Sequence, residues 1–161
     1  MTNKVNISVV IGTYNQKDTL SLILQEYNKQ TLDTSLFEVI VVDSTSNDGS
    51  QAFYKSFNPS FNFRYHIQEN KGKAAARNKG VQLAEGDYII ITDGDMIPDP
   101  DFIKSHLDAQ LKTSQPTCFE GLAHNMDKLE WPITSATLSP QVGKDPKSGS
   151  KLGWYYFLTG N

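Results

Sequence analysis

Asp93 and Asp95, separated only by Gly94, are the residues of this chain best suited to chemistry. Two carboxylates one small residue apart can hold a hard divalent cation that keeps several waters and shares substrate phosphates. A solvated turn is the ordinary alternative, since Asp and Gly are turn residues and an Asp-x-Asp triplet is short enough to arise by chance. The preceding run weighs for chemistry. Tyr88-Ile89-Ile90-Ile91-Thr92 shows no alternation, the pattern of a parallel strand covered on both faces. The triplet then closes a strand at its carboxyl end, the edge where open α/β sheets bind ligands.

The elements that must position these acids follow from the pattern upstream and downstream. Ile7 to Ile11 reads as a buried strand breaking at Gly12 into Thr13, Tyr14, Asn15 and Gln16. Leu20, Ile23, Leu24 and Tyr27 recur at helical spacing, with Asp18 as the expected N-cap. Phe37 to Val42 is a second strand ending on Asp43, and the polar loop Ser44 to Ser50 feeds a short helix through Phe53 and Phe57. Phe63 to Gln68 alternates as a half-exposed or edge strand does, with His66 on the polar face. After the loop from Glu69 to Lys73, a helix is predicted from Ala74 to Ala84, stopped by Gly86, its three alanines permitting a close approach to the sheet.

Beyond the acidic triplet, Asp99 and Pro100 form an expected N-cap and first helical position, and Phe102, Ile103, Leu107 and Leu111 supply an apolar face. Thr117 to Ala123 is predicted as a further strand. His124 to Gly153 reads as a long irregular loop rich in Pro and Gly, and Trp154 to Leu158 recovers strand character.

Composition narrows the classes. At 161 residues this is one domain's worth of chain, able to bury about 68–70% of its unfolded surface. The 15 Lys and Arg are scattered and the net charge is -3, so no footprint for nucleic acid is present. Cys118, the single cysteine, excludes an internal disulfide and a thiolate metal cluster, and is expected to be a small buried apolar residue. No apolar stretch approaches the roughly 20 residues of a membrane span, and the amino-terminal apolar run is too short for a secretory signal. The expectation is a cytoplasmic protein, free or at the inner membrane surface.

Strands alternating with helices imply a Rossmann-like, doubly wound, mostly parallel α/β sheet with helices on both faces and right-handed crossovers. The loops after Ile11, Val42, Gln68 and Thr92 then share one edge, bringing Thr13, Asn15, Asp43, Asn70, Gly72, Arg77, Asp93 and Asp95 together. A carboxylate pair for metal, an acid at a strand end, a glycine and an arginine near a helix start suit a diphosphate nucleotide. Singly, Asp43 could equally cap its own loop and Arg77 could equally form a surface ion pair.

Four segments, in order, carry a resemblance. Val9-Val10-Ile11-Gly12-Thr13-Tyr14-Asn15, Val39 to Asp43 with Asp48-Gly49-Ser50, Asn70-Lys71-Gly72-Lys73-Ala74-Ala75-Ala76-Arg77-Asn78, and Asp93-Gly94-Asp95 resemble the nucleotide-sugar-binding portion of inverting family 2 glycosyltransferases with the GT-A fold. The resemblance implies a single GT-A domain over 1–161, with 1–112 as the donor half and 113–161 as the start of the acceptor half. It implies Thr13, Tyr14 and Asn15 as the first nucleotide loop, Asp43 as the acid reading the base, Asn70, Gly72 and Arg77 along nucleotide and phosphate, Asp93 on ribose or metal, and Asp95 on the metal, Mn²⁺ or Mg²⁺. Trp154, Gly160 and Asn161 fall where donor or acceptor sugar is expected, and the general base is expected after Asn161. The implied partners are a nucleoside-diphosphate sugar, a UDP-sugar first, and a glycan, lipid or protein acceptor. The chain departs from the family where Gly12 replaces a frequent proline and Ser44 a frequent acid.

Other readings stay open beside it. A non-catalytic nucleotide-sugar-binding module would bind without transfer. A phosphohydrolase using Asp93 as nucleophile and Asp95 as acid/base would want the pair on its first strand and further acids downstream. No residue of the chain is a convincing replacement for the base: Glu120, in the predicted strand, could face the crevice, although a strand carboxylate elsewhere on the edge is the simpler reading, and Asp127 and Glu130 lie in the irregular segment, where polarity is expected. A nucleotidyltransferase wants a glycine-rich basic first loop, and no G-x-G-x-x-G follows any strand as dinucleotide binding requires.

Overall fold

The computed structural model describes residues 5–121 and, as backbone alone, Ala123–Asn125 and Tyr155–Phe157. In chain order the elements are β1 (Ile7–Thr13), α1 (Lys17–Glu26), β2 (Phe37–Asp43), α2 (Ser50–Ser56), β3 (Asn62–Ile67), α3 (Lys73–Leu83), β4 (Tyr88–Asp93), β5 (Met96–Pro98), α4 (Phe102–Leu111), β6 (Ala123–Asn125) and β7 (Tyr155–Phe157). Four strands form one parallel sheet in the order β3-β2-β1-β4. β5, β7 and β6 form a second, mixed sheet in that order.

Helices cover both faces of the parallel sheet. On one face Ile7, Val9 and Ile11 of β1 and Phe37, Val39 and Val41 of β2 pack with Leu20, Ile23 and Leu24 of α1 and Phe102, Ile103 and Leu107 of α4. An aromatic group around Phe61, with Tyr27, Phe37, Phe57 and Phe63, closes that core beneath β3. On the other face Ile40 and Val42 pack against Ala76 of α3. Close approach there rests on Gly80 together with Ala76, one of the three alanines. A Cβ at Gly80 would lie 2.2 Å from Val10 Cγ1, and of the three alanines only Ala76 is buried.

The structure departs from the sequence pattern in several places. β4 is not covered on both faces. Ile90 and Thr92 are buried, whereas Ile89 and Ile91 are 41% and 49% exposed, because β4 is the outer strand and α3 lies over β1 and β2. The α1 N-cap is Gln16, not Asp18, and the orphan N–H of Lys17 is taken by Asp48 from the next loop. The α4 N-cap is Asp101. Asp99 instead closes the preceding turn, accepting from the Asp101 N–H through its side chain and from the Phe102 N–H through its carbonyl.

Gly86 does not stop α3, which ends at Leu83 with Ala84 already extended. It passes against β1, where a Cβ would sit 2.7 Å from the Ile7 carbonyl carbon and the Ser8 nitrogen. The strand expected over Thr117 to Ala123 is absent from 117–121, where side-chain bonds such as Gln110 Nε2 to the Thr117 carbonyl hold the backbone; the strand is β6. Cys118, on that unpaired segment, is exposed rather than buried. His66 is half-buried on the edge strand β3. The bulk of the region read as irregular lies outside the described residues. Among the described residues no helix is long and apolar enough to cross a membrane.

Away from the carboxyl edge, a buried ion-pair network fastens the sheet. Glu38 Oε1 accepts from Ser8 Oγ at 2.6 Å and from the Glu85 N–H at 2.8 Å, and its Oε2 accepts from Arg64 Nη1 at 2.9 Å. Arg64 also reaches Glu85 Oε1 at 2.7 Å, and the Gly86 N–H donates to Ser8 Oγ at 2.9 Å. One fully buried carboxylate therefore ties β1, β2, β3 and the turn before β4.

Candidate donor-binding site

The carboxyl ends of β1, β2 and β4 and the start of α3 meet at one edge. Between the end of β1, the loop after β2 and the start of α3 lies a cavity of about 360 Å³ lined by Gly12, Thr13, Tyr14, Gln16, Ser44, Asn70, Gly72, Lys73 and Ala76, and neither Asp93, Asp95 nor Arg77 is part of that lining. Tyr14 is 50% exposed at its mouth, a large aromatic left in solvent. Thr13 donates its hydroxyl to Gln16 Oε1 at 3.3 Å. A Cβ on Gly94 would be 3.0 Å from that same Gln16 oxygen and 3.7 Å from Thr13 Oγ1, so the turn between the two acids rests directly on the first loop.

The two acids of the triplet have opposite environments. Asp93 is held by cations, accepting from Lys73 Nζ at 2.8 Å through Oδ2 and from Arg77 Nη2 at 2.5 Å through Oδ1. Partial burial acts to raise its carboxyl, but the Lys73 and Arg77 bonds and charges hold it below the usual range. Among the described residues Asp95 Oδ1 is buried with no hydrogen-bond partner. Burial first, and then the neighbouring Asp93 charge, push the Asp95 carboxyl above the usual range. Arg77 Nε and Thr92 Oγ1 are likewise buried without partners among the described residues.

An unpartnered buried carboxylate oxygen is costly unless something binds it. Among the described residues no group of three or more His, Cys, Asp or Glu could hold a metal by itself. The donor set here, two carboxylates, fits a hard cation that completes its shell with water and substrate phosphate.

The other expected site residues are placed as follows. Asp43 is fully buried, accepting from the Ser46 N–H at 2.6 Å through Oδ1 and from Tyr54 Oη at 3.0 Å through Oδ2. Burial, reinforced by the Asp43 charge, raises the Tyr54 hydroxyl well above its ordinary value. Loop capping is thus what Asp43 does in this structure. Asn15 sits at φ +52° outside the cavity lining. Asn70 Oδ1 accepts from the Gly72 N–H at 3.1 Å.

Gly72 has φ +85° and ψ 168° and a Cβ there would meet nothing within 4 Å. The glycine is therefore required by backbone conformation, in a region open essentially to glycine alone. Gly72→Ala is expected to lower stability by about 1–3 kcal/mol through backbone strain, read as a drop in the thermal midpoint with the sheet otherwise unchanged. Glu120 is exposed and lines a second cavity, of about 400 Å³, with Arg77, Thr92 and Asp93. Trp154, Gly160 and Asn161 lie outside the described residues.

Sequence reasoning missed Lys73 and Gln16. For Lys73 a signal existed, because a cation in the first turn of a helix opposes the helix dipole and implies an anionic partner nearby. Gln16 carries no such mark.

Residues 8–157 match the family model described as glycosyl transferase family 2. The uncharacterized glycosyltransferase YfnE of Bacillus subtilis is 39% identical over 103 residues, covering 63% of this chain and 26% of YfnE. Among solved structures, the mannosyltransferase PcManGT from Pyrobaculum calidifontis, in complex with GDP-Man and Mn²⁺, superposes with a TM-score of 0.59 at 28% identity, covering 70% of this chain and 33% of that one. TarS from S. aureus, in complex with UDP-GlcNAc, gives 0.59 at 25% identity, over 66% of this chain and 30% of that one. The fold is the α/β, Rossmann-like GT-A fold. The chain spans between a quarter and a half of the length of the first of the curated relatives it matches.

Proposed function

We propose, from the premise that this chain belongs to glycosyl transferase family 2, that it carries the donor site of a glycosyltransferase moving a sugar from a nucleoside-diphosphate sugar to an acceptor hydroxyl with inversion. The observation that carries this reading is the buried, unpartnered Asp95 Oδ1 beside an Asp93 claimed by Lys73 and Arg77. Gly94 rests on the loop that walls the cavity. A carboxylate oxygen without a partner, beside an acid that holds two cations at the same edge, suits a metal-bound diphosphate.

In this reading Thr13, Tyr14 and Gly72 border the nucleoside, with Tyr14 offering its ring to the base. Asp95, with Asp93, holds Mn²⁺ or Mg²⁺, which when bound neutralises charge on the leaving diphosphate. Lys73 and Arg77 add donors to the phosphates. Asp43 serves by fixing the loop after β2 in place. Residues 1–112 form the donor half and 113–161 belong to the acceptor side. The donor is assigned as a UDP-sugar, the class bound by TarS, and the GDP-sugar bound by PcManGT is the alternative that titration separates.

Ligand-linked stability tests the reading. A ligand that binds only the folded state adds about 2.7 kcal/mol at one hundred times its Kd. UDP at such a concentration with Mn²⁺ is expected to raise the thermal midpoint by several degrees, and UDP with EDTA by much less. Equal shifts for UDP and inorganic phosphate would remove the nucleotide site.

A further inference from the structure

The loops after β1 and β2 are buttoned to each other by side chains that do not line the cavity. The Asn15 N–H donates to Ser46 Oγ at 2.8 Å, and the Asn47 N–H returns a bond to Asn15 Oδ1 at 2.9 Å. The Lys17 N–H donates to Asp48 Oδ2 at 2.8 Å. Asp48 Oδ1 meanwhile accepts from the Ser50 N–H at 3.0 Å and from Ser50 Oγ at 2.5 Å, so one carboxylate caps the starts of both α1 and α2. Ser46 is buried and its own N–H is spent on Asp43. Asn15 is held at φ +52°, a conformation asparagine tolerates better than most residues. Tyr14, exposed at the cavity mouth, lies between Thr13, bonded to Gln16, and this clasped Asn15.

We propose that Asn15, Ser46 and Asp48 form a clasp that fixes Tyr14 at the mouth of the donor cavity, Asn15 acting as a positioning residue through its Oδ1 rather than as a contact to the nucleotide. The inference rests on the donor-site reading above. The clasp makes its bonds with Asn15 N–H and Oδ1, and leaves the cavity lining to Thr13, Tyr14 and Gln16. Its members therefore act on the ligand only through the residue they hold.

The test is calorimetric titration of UDP, and of GDP in parallel, with Mn²⁺ into the full chain and its variants at a temperature well below each thermal midpoint. Ser46→Ala, which removes one acceptor that never faces the cavity, is expected to weaken nucleotide binding about 3- to 10-fold, the scale of one hydrogen bond. Asn15→Ala should lose a similar factor, whereas Asn15→Asp keeps the acceptor for the Asn47 N–H and should stay within about 2-fold of the parent. In a Tyr14→Ala background Ser46→Ala should cost nothing further, the non-additivity expected of residues acting through one another.

Parental affinity in folded Ser46→Ala would overturn the clasp. So would equal losses in Asn15→Asp and Asn15→Ala, which mark a contact through the amide, or full additivity with Tyr14→Ala. A parent chain that binds neither nucleotide would overturn the donor-site reading and the clasp together, whereas parental binding with unaffected variants overturns the clasp alone.

Discussion

Asp95→Asn is expected to abolish the Mn²⁺-dependent part of nucleoside-diphosphate binding while leaving the metal-free protein at least as stable as its parent. The first half follows from the ligand count. Asp93 is occupied by Lys73 and Arg77, so Asp95 is the free carboxylate of the triplet. Losing a direct ligand should exceed the roughly 10–100-fold that loss of an outer-shell partner costs. The second half follows from burial. The Asp95 carboxylate has one oxygen out of solvent and, among the described residues, unpaired, and a like charge two residues away; removing its charge relieves burial and repulsion that outweigh its own backbone N–H bond and the Lys73 attraction. A variant with a normal or raised thermal midpoint and no Mn²⁺ effect on nucleotide affinity is the expected result. An Asp95→Asn chain that binds nucleotide in Mn²⁺ as its parent does would remove the metal assignment.

Arg64→Met should cost stability heavily and leave the donor cavity alone. Glu38 is fully buried, and Arg64 is its only opposite charge in contact among the described residues. Stripping a buried carboxylate of that partner costs about 3–5 kcal/mol. Two donors, Ser8 Oγ and the Glu85 N–H, remain to it, which places the loss toward the lower end. Denaturant unfolding would read the change as a lower midpoint at an unchanged slope. The double variant with Glu38→Gln should recover part of it, because the amide needs no counter-charge. Both residues pair at the amino-terminal part of the sheet, away from the carboxyl edge, so UDP affinity in the folded fraction should not move. A midpoint shift below about 1 kcal/mol would mean that Glu38 is adequately satisfied by its neutral donors.

Much of the framework was written in local pattern. The unalternating runs of β1 and β2, the edge-like alternation of β3 and the helical spacing of Leu20, Ile23 and Leu24 each match an observed element, because each is set by burial period alone. β4 misled for the same reason. Tyr88 to Thr92 is apolar enough for two covered faces, and only the placement of α3 over β1 and β2 decides that Ile89 and Ile91 meet solvent. Long-range partners were not legible. Asp48 caps a helix 31 positions back in the chain, and Glu38 meets Arg64 26 positions ahead; neither spacing leaves a periodic trace. The candidate site divides along the same line. Asp93, Asp95 and Gly72 could be singled out by residue type and strand-end position, whereas the occupation of Asp93 by Lys73 and of Asp43 by Tyr54 depends on geometry that only folding supplies.

The central claim, a metal-dependent nucleotide site at the carboxyl edge of β1 and β4, is tested most directly by calorimetric titration of the chain with UDP and then GDP, each with Mn²⁺ and with EDTA. The account predicts saturable binding of one nucleotide in Mn²⁺ that weakens at least tenfold in EDTA, a difference of about 1.4 kcal/mol. Equal affinity in Mn²⁺ and EDTA, or heats indistinguishable from dilution for both nucleotides in Mn²⁺, would contradict it.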